Sequence, residues 1–309
     1  MTGTAPYAPD LALPLFYLGT HRPGWLWDGS VDVPLMVSDR CLREYASLRP
    51  ATVPEWALDS GGFTELSIYG TWTTGPREYC ERVARYDREI GGLAWAATQD
   101  WMCEDEIIRG GRVSPATVAP GTGLSEEEHQ RRSVESYVTL DGLWPQYSDA
   151  QSPFIPSLQA RTPRGYERCR AMYEAAGVDL GKLPLVGVGS VCRRSSAAEI
   201  RDVVSVIGDM SLVSHWFGVK LAGVRLAGLR TGAEVTPSGL LECGPASLDS
   251  LAWSLDARYG ERLPECTHRA AKCGGCRAYA ARYRERVVGA LRSARDSGEG
   301  WERDAPLAA

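Results

Sequence analysis

The sequence predicts an α/β fold, namely a (β/α)₈ TIM-like barrel with a C-terminal zinc-binding helical subdomain. Short apolar segments alternate with longer segments of helical periodicity over most of the 309 residues. This alternation is typical of a parallel sheet whose strands are joined by helices. The strand candidates fall within roughly 240 residues, a spacing that fits a closed barrel better than an open sheet.

The predicted elements follow from apolar runs and from helix start signals. The strand candidates are residues 15–18, 34–38, 56–59, 93–98, 154–158, 183–188, 219–225 and 250–253. The helix candidates are residues 40–48, 76–90, 125–143, 163–176, 195–207 and 276–293. Ser125 and Glu128 have the spacing of a capping box. Pro76 and Pro163 stand where the first turn of a helix tolerates proline.

The domain organisation follows from composition along the chain. Residues 1–255 are predicted to form the barrel, with a loop insertion near 102–124 that is rich in Gly, Pro and Thr. Residues 256–296 are predicted to form a zinc knuckle and a basic helix, and residues 297–309 a disordered tail.

Composition and charge limit the class of protein. Hydrophobic residues make up 44% and charged residues 24%, which is ordinary for a globular protein. The net charge of -5 means that contact with nucleic acid needs a local basic patch. The N-terminus lacks a secretory signal pattern, and no apolar run reaches the roughly 18 residues of a membrane span. Nine cysteines, an odd number, argue against a secreted disulfide framework, so we expect a cytoplasmic protein without membrane contact.

A cluster of metal-ligand residue types lies near the C-terminus. Cys266, His268, Cys273 and Cys276 follow the pattern C-x-H-x₄-C-x₂-C. Four soft or borderline ligands with no open position favour a structural zinc ion. The alternative interpretation is that these cysteines form a redox pair or are free thiols. Cys243 is an alternative to Cys266 as the fourth ligand.

The helix that follows this cluster is basic. It forms either a phosphate-binding patch or a solvated helix face. Its basic residues, with two more from the cluster, are Arg269, Lys272, Arg277, Arg282, Arg284, Arg286 and Arg292.

Three aspartates recur at or near the ends of apolar strand candidates. Asp59 follows Trp56-Ala57-Leu58 and precedes Ser60 and two glycines, which let the backbone turn and approach a flat ligand. Asp100 and Asp249 stand in comparable settings. Together they suggest acid/base and nucleophilic chemistry on a neutral substrate. The structural alternatives are a turn cap for Asp59, a salt bridge for Asp100 and a helix N-cap for Asp249.

The order of these motifs resembles the tRNA-guanine transglycosylase superfamily over residues 15 to 290, and most closely its DNA-modifying branch. Those enzymes exchange guanine in DNA for a 7-deazaguanine base such as preQ0. The motifs that carry the resemblance are Asp59-Ser60-Gly61-Gly62-Phe63, Gln99-Asp100-Trp101-Met102, His215-Trp216-Phe217-Gly218-Val219-Lys220, Asp249-Ser250-Leu251-Ala252-Trp253 and Cys273-Gly274-Gly275-Cys276.

The resemblance implies a role for each of the three aspartates. Asp249 resembles the nucleophile that attacks C1′ and forms a covalent glycosyl-enzyme intermediate. Asp59 resembles the acid/base that protonates the departing guanine and then deprotonates the incoming base. Asp100 resembles the acceptor for the N–H groups of the base. The chemistry is coherent, because a carboxylate can stabilise the sugar by bonding to it while a second carboxyl group moves the proton.

The resemblance also implies residues that hold the base. Gln159 and Gly189 resemble the groups that bind its carbonyl edge. Ser190 stands in Gly189-Ser190-Val191, where the family has a Gly-Gly-Leu loop, and this difference leaves the 7-substituent of the base open. Phe63 and Trp101 are candidates for an aromatic sandwich around the base.

The acceptor of the base is open at this stage. The position of His268 inside the cluster departs from the transfer-RNA enzymes, whose metal-binding histidine lies farther away, and this departure favours DNA or a small molecule. A free guanine nucleoside or nucleotide, tRNA, and a non-catalytic purine-binding barrel are the alternatives. A metal-dependent hydrolase is disfavoured because the chain has four histidines and no His-x-His motif. With DNA as partner, the nucleotide is expected to flip out of the duplex. A helper ATPase and self-association are left open.

Overall fold

A computed structural model describes residues 13–194, 196–220 and 245–297 of the chain. Within these ranges the strands are β1 Leu15–Thr20, β2 Leu35–Ser38, β3 Trp56–Asp59, β4 Leu93–Ala97, β5 Gly111–Ser114, β6 Thr117–Ala119, β7 Phe154–Ile155, β8 Ser157–Leu158, β9 Val186–Val188, β10 Ser214–Trp216 and β11 Ser247–Ser250. The helices are α1 Asp39–Leu42, α2 Gly62–Tyr69, α3 Pro76–Glu89, α4 Asp105–Ile108, α5 Glu126–Leu143, α6 Pro163–Ala175, α7 Ala197–Asp209, α8 Ala252–Tyr259 and α9 Arg277–Ser297.

The chain divides into two compact units, and the described part of the first comprises residues 19–190. In this unit four strands pair in parallel in the order β7-β4-β3-β2. Strands β8 and β9 form a second parallel pair. Trp56, Ala57 and Leu58 of β3 are fully buried, as expected for a parallel strand that is covered on both faces. The register pairs Ser38 with Asp59, so the carboxyl ends of β2 and β3 lie side by side.

In the first unit, α3, α5 and α6 begin within one residue of their predicted starts. The predicted helix 40–48 is wrong beyond α1, because the chain turns after Leu42, where the N–H of Tyr45 donates to its carbonyl. Helices α2 and α4 were not predicted. The hydroxyl of Ser125 accepts the N–H of Glu128 at 3.1 Å, which confirms the N-cap of α5. The hydroxyl of Thr162 caps α6 in the same way through Gly165, with Pro163 in the first turn. Each cap satisfies a backbone donor that the helix cannot pair internally.

The segment near 102–124 has secondary structure of its own. It contains α4 and the antiparallel hairpin β5–β6. Its apolar side chains pack on the rest of the first unit, because Ile107, Val113 and Ala119 form one buried cluster with Leu66 of α2 and with Trp101. This packing anchors the segment to the rest of the first unit.

The second unit comprises residues 13–18 together with the described residues after 190. Its strands pair in parallel in the order β1-β11-β10. The register places Tyr17 opposite Asp249 and His215 opposite Ser247. Helices α8 and α9 pack through buried side chains, which include Trp253, Tyr283, Val287 and Leu291.

Three predicted strand segments differ from the structure. The segment 154–158 is split into β7 and β8 at Pro156, which has no N–H for a sheet ladder. The predicted strand 250–253 is instead β11, which ends at Ser250, and α8 begins at Ala252. Strand β10 was not predicted, because Ser-His-Trp is short and partly polar. The predicted strand 219–225 is not formed at Val219 and Lys220, and its residues 221–225 lie outside the described residues.

The structure therefore confirms an α/β fold with parallel strands, whereas the closed eight-stranded barrel and the boundary near residue 255 stay predictions. The predicted tail, apart from Ser297, lies outside the described residues. Among the helices that the structure describes, none combines the length and the apolar composition needed to cross a bilayer.

Candidate active site

Asp59 is the last residue of β3, and its carboxylate is oriented by the turn that follows. Its Oδ2 accepts the N–H of Gly61 at 3.1 Å. Gly61 has a φ of 83°, in the left-handed region where glycine is favoured, and it is the N-cap of α2. Asp59 therefore caps the turn that follows β3, as the turn-cap interpretation predicted. The contact also orients the carboxylate at the end of the strand, where a proton-transfer group is expected.

Asp100 lies after β4 and is buried. Its Oδ2 accepts a short hydrogen bond from the Nε2 of Gln159. Burial raises the pKa of Asp100 to about 7, and the nearby carboxylates of Asp59 and Glu104 add to the increase, while the Gln159 hydrogen bond opposes it. Asp100 is therefore a carboxyl group that changes its charge near neutral pH. Its hydrogen-bond partner is the neutral amide of Gln159, so this contact is not the salt bridge of the alternative interpretation.

A buried polar chain extends from Asp100 through Gln159 and Ser190 to Glu104. The Oγ of Ser190 lies 2.6 Å from the Oε1 of Gln159 and 3.3 Å from the Oε2 of Glu104. It also accepts the N–H of Cys103 at 2.9 Å. A hydroxyl has a single proton to donate, and the shorter distance favours donation to Gln159. Ser190 holds a φ of 56°, a strained conformation for a residue other than glycine and one that is found preferentially at functional sites.

Two glycines let the backbone approach this chain closely. A Cβ at Gly189 would lie 2.0 Å from the Nε2 of Gln159, and a Cβ at Gly62 would lie 3.1 Å from the Oδ1 of Asp100. The hydroxyl of Tyr166 donates to the carbonyl of Gly189 at 2.7 Å and fixes its position. The structure thus brings Asp100, Gln159, Gly189 and Ser190 together, and their role in holding a base stays a prediction.

The two aromatic candidates have different surroundings. Phe63 lies on α2 and is 39% exposed. Trp101 is 7% exposed and belongs to the core cluster of the first unit. The guanidinium of Arg132 lies 4.5 Å from the centre of its ring, and the ring of His129 approaches in an edge-on arrangement. A role of either side chain in stacking on a base stays a prediction.

Asp249 lies in β11 of the second unit and is buried. Its Oδ1 accepts the N–H of Gly218 at 2.7 Å and lies 3.3 Å from the Nε2 of His215. Both contacts are made to the same oxygen atom. The helix N-cap interpretation of Asp249 is wrong, because α8 begins at Ala252 and has no side-chain cap.

Two residues contact the candidate site residues although the sequence analysis did not assign them to a site. Glu104 ends the buried chain of the first unit, and His215 contacts Asp249 in the second. His215 belongs to the motif His215-Trp216-Phe217-Gly218-Val219-Lys220, which was its only signal in the sequence. Glu104 lies in the insertion near 102–124 and carried no signal beyond being an acid close to Asp100.

The Cys/His cluster forms a compact set of ligand atoms. The ligand atoms of Cys266, His268, Cys273 and Cys276 all lie within 4.8 Å of one another. The Sγ atoms of Cys266 and Cys276 are 3.3 Å apart, far longer than the roughly 2.05 Å of a disulfide bond. In a tetrahedral site, metal–sulfur bonds of about 2.3 Å place the sulfurs nearly 4 Å apart. The four residues therefore fit a metal ion, and Cys243 lies outside the described residues.

The surrounding loop supports this arrangement. The backbone turns tightly at the knuckle, where the N–H of Cys276 donates to the carbonyl of Cys273 at 2.8 Å. Ser254 of α8 donates to the carbonyl of Gly274 at 2.8 Å, and Lys272 donates to the carbonyl of Gly260 at 2.7 Å. The cluster thus links α8 to the start of α9.

We expect removal of a metal from this cluster to destabilise the protein, because the four ligands hold together the loop that joins α8 to α9 and metal binding contributes to the folding free energy. Incubation with a strong chelator, or Cys276→Ser, should lower the melting temperature by several degrees, as measured by calorimetry with metal analysis of the same samples. Cys41→Ser, which alters a cysteine outside the cluster, is the matched control. An equal melting temperature for metal-free and metal-loaded protein would contradict a structural role.

Two arginines of the basic helix α9 have partners within the protein. Arg282 pairs with Glu265 at 2.6 Å, and the guanidinium of Arg286 lies 5.5 Å from the centre of the Tyr283 ring. Both side chains line a surface groove with Leu263 and Tyr279. The choice between a phosphate-binding patch and a solvated face stays open.

Comparison with known proteins places these sites in one family. No curated protein matches the chain. The family model described as "DpdA: DeoxyPurine in DNA protein A" matches residues 14–305, which includes all three aspartates and the Cys/His cluster. Since the match extends over nearly the whole sequence, the chain belongs to the DpdA family, the DNA-modifying branch of the guanine transglycosylases.

Proposed function

We propose that this protein exchanges guanine in DNA for a 7-deazaguanine base such as preQ0 through a covalent glycosyl-enzyme intermediate. The observation that carries the proposal is the environment of Asp249. Its buried carboxylate is held through Oδ1 by the N–H of Gly218 and by His215, an arrangement that directs Oδ2 to act as the nucleophile. Membership of a family named for deoxypurines in DNA supports the same substrate class.

The buried chain of the first unit is proposed to recognise the base. Guanine and 7-deazaguanines present an N1–H and a 2-amino group, and the ionised carboxylate of Asp100 accepts from both. Adenine lacks these two donors, and pairing it with a buried carboxylate would leave that acid without a partner, which is costly. Gln159 and Ser190 would supply the polar groups for the carbonyl edge. Gly189, whose N–H donates to the carbonyl of Leu158, would leave the space for the base beside them.

The proposed reaction has two half-reactions that balance. In the first, the Oδ2 of Asp249 bonds to C1′ and the C1′–N9 bond breaks. The electron pair goes to the guanine, which takes a proton from the carboxyl group of Asp59. In the second, Asp59 removes the N9 proton of the incoming base, N9 bonds to C1′, and the C1′–Oδ2 bond breaks. Asp249 then recovers its negative charge.

The remaining features have supporting roles in this proposal. The Cys/His cluster would hold a structural zinc ion, since three thiolates and one imidazole with no open position are typical of such sites. Exposed arginines of α9 would contact phosphates, and the reactive nucleotide would be flipped out of the duplex. We also propose a closed (β/α)₈ barrel and a cytoplasmic location. A helper ATPase and self-association are compatible with the reaction.

An incorporation assay tests the proposal. Labelled preQ0 is incubated with the protein and with duplex DNA, free guanosine or tRNA in parallel reactions. We expect label in DNA that depends on Asp249. Label in guanosine or tRNA but not in DNA would show that DNA is not the acceptor. No label in any of the three would overturn the proposal. An Asp149→Asn protein, altered at an exposed carboxylate, is the control for the preparation.

A further inference from the structure

His215 lies between a serine and the proposed nucleophile on neighbouring strands of the second unit. It is fully buried on β10, and the register pairs it with Ser247 of β11. Its Nδ1 lies 2.8 Å from the Oγ of Ser247, and its Nε2 lies 3.3 Å from the Oδ1 of Asp249. Each ring nitrogen therefore has a polar neighbour.

The hydrogen bonds define which nitrogen carries the proton. Burial lowers the pKa of His215, which favours the neutral ring. An ionised carboxylate only accepts hydrogen bonds, so the proton lies on Nε2 and points to Asp249. The Oγ of Ser247 then donates to Nδ1. The rings of Tyr17 and Phe217 pack edge-on against the imidazole and restrict its rotation.

We infer that His215 is a positioning residue that, together with the N–H of Gly218, holds the Oδ1 of Asp249 and favours its free carboxylate over its glycosyl ester. The inference rests on the proposed function, because it assumes that Oδ2 of Asp249 bonds to the sugar. In the ester, Oδ1 is a neutral carbonyl oxygen. A donor stabilises a charged carboxylate more than such a carbonyl.

This difference has a measurable consequence for the intermediate. The donor from His215 stabilises Asp249 as the group that leaves when the new base bonds to C1′. Without that donor, the equilibrium between the free enzyme with DNA and the covalent adduct with free guanine moves toward the adduct. A hydrogen bond to a charged group corresponds to a shift of roughly 10-fold to 100-fold in this equilibrium constant. If His215 had only a packing role, its replacement would lower this equilibrium constant, because a displaced Asp249 forms less adduct.

The test uses two amide replacements that retain different halves of the imidazole. In His215→Gln the amide nitrogen reaches the position of Nε2 and keeps a donor for Asp249. In His215→Asn the amide reaches only the position of Nδ1 and keeps the contact with Ser247. Each full-length protein is mixed with DNA and a fixed concentration of guanine. The denaturant-stable protein–DNA adduct is then quantified on a gel, and folding is checked by thermal melting.

We expect an adduct fraction close to the wild type for His215→Gln and an increase of about tenfold in the adduct-to-free ratio for His215→Asn. Ser247→Ala should change the ratio in the same direction as His215→Asn, because it removes the contact at Nδ1 that keeps the proton on Nε2. If His215→Asn does not fold, Ser247→Ala is used in its place. A decreased or unchanged ratio in both His215→Asn and Ser247→Ala would overturn the inference. Adduct formation by Asp249→Ala would instead overturn the proposed nucleophile, so the two failures are distinguishable.

Discussion

Asp249→Asn should reduce base exchange by at least about 10⁴-fold while leaving the fold and the binding of DNA intact. The amide oxygen of asparagine can still accept the N–H of Gly218, so the local geometry is retained. The amide has no negative charge, however, and it is a poor nucleophile toward C1′. The measurement is the rate of labelled-base incorporation into DNA, with DNA binding measured on the same protein.

The matched control for this variant is Asp256→Asn, which removes an exposed carboxylate seven residues later on α8. It should retain nearly full activity and the same melting temperature. Exchange at more than a tenth of the wild-type rate in Asp249→Asn would refute the assignment of the nucleophile. Loss of DNA binding together with activity would instead indicate a structural role for this carboxylate.

Asp100→Asn should abolish selective binding of the base and at the same time stabilise the protein. The pKa of Asp100 is raised to about 7 because the carboxyl group is buried, so its ionised form is unfavourable in the folded state. Asparagine keeps an oxygen for the Nε2 of Gln159 but cannot accept both donors of guanine as a carboxylate does. We expect kcat/KM for the incoming base to fall by at least about 10²-fold.

The stability change has a defined pH dependence. The folded-state pKa of Asp100 lies above its unfolded value, so its contribution to stability is greatest at low pH and is lost as pH rises toward about 7. Above pH 7 the ionised carboxylate costs on the order of 2–4 kcal/mol relative to a neutral group. The asparagine variant should therefore have the higher unfolding free energy at pH 8 and no advantage at pH 4. A lower unfolding free energy at pH 8, measured by denaturant titration, would contradict this account.

We expect the same titration of Asp100 to control the affinity of the wild-type protein for the base. Affinity for a 7-deazaguanine should fall as pH drops below about 7, because the protonated carboxyl group loses an acceptor site. The Kd of the base, measured from pH 5 to pH 8, should change up to about tenfold per pH unit on the acid side.

Much of this fold was predictable from local patterns. The apolar run before Asp59 predicted β3 with the bounds that the structure has, because buried parallel strands are continuous apolar segments. Ser125 and Pro163 marked the starts of α5 and α6 through chemistry that involves only neighbouring residues. The Cys/His cluster was equally readable, since its four ligands lie within eleven residues and converge on one point. Strand β10 was missed because two of its three residues are polar and its burial comes from the strand beside it.

By itself the sequence determined the family and identified the three aspartates, together with residue types that suit the binding of a base and of a metal ion. Only the tertiary structure decided how those groups act on one another. It paired Asp100 with Gln159 across 59 positions and Asp249 with His215 across 34 positions. The physical reason is that a carboxylate's pKa and hydrogen bonds depend on burial and on neighbours that are distant in sequence. No local pattern encodes such a neighbour, which is why the contacts of Glu104 and His215 emerged only from the folded chain.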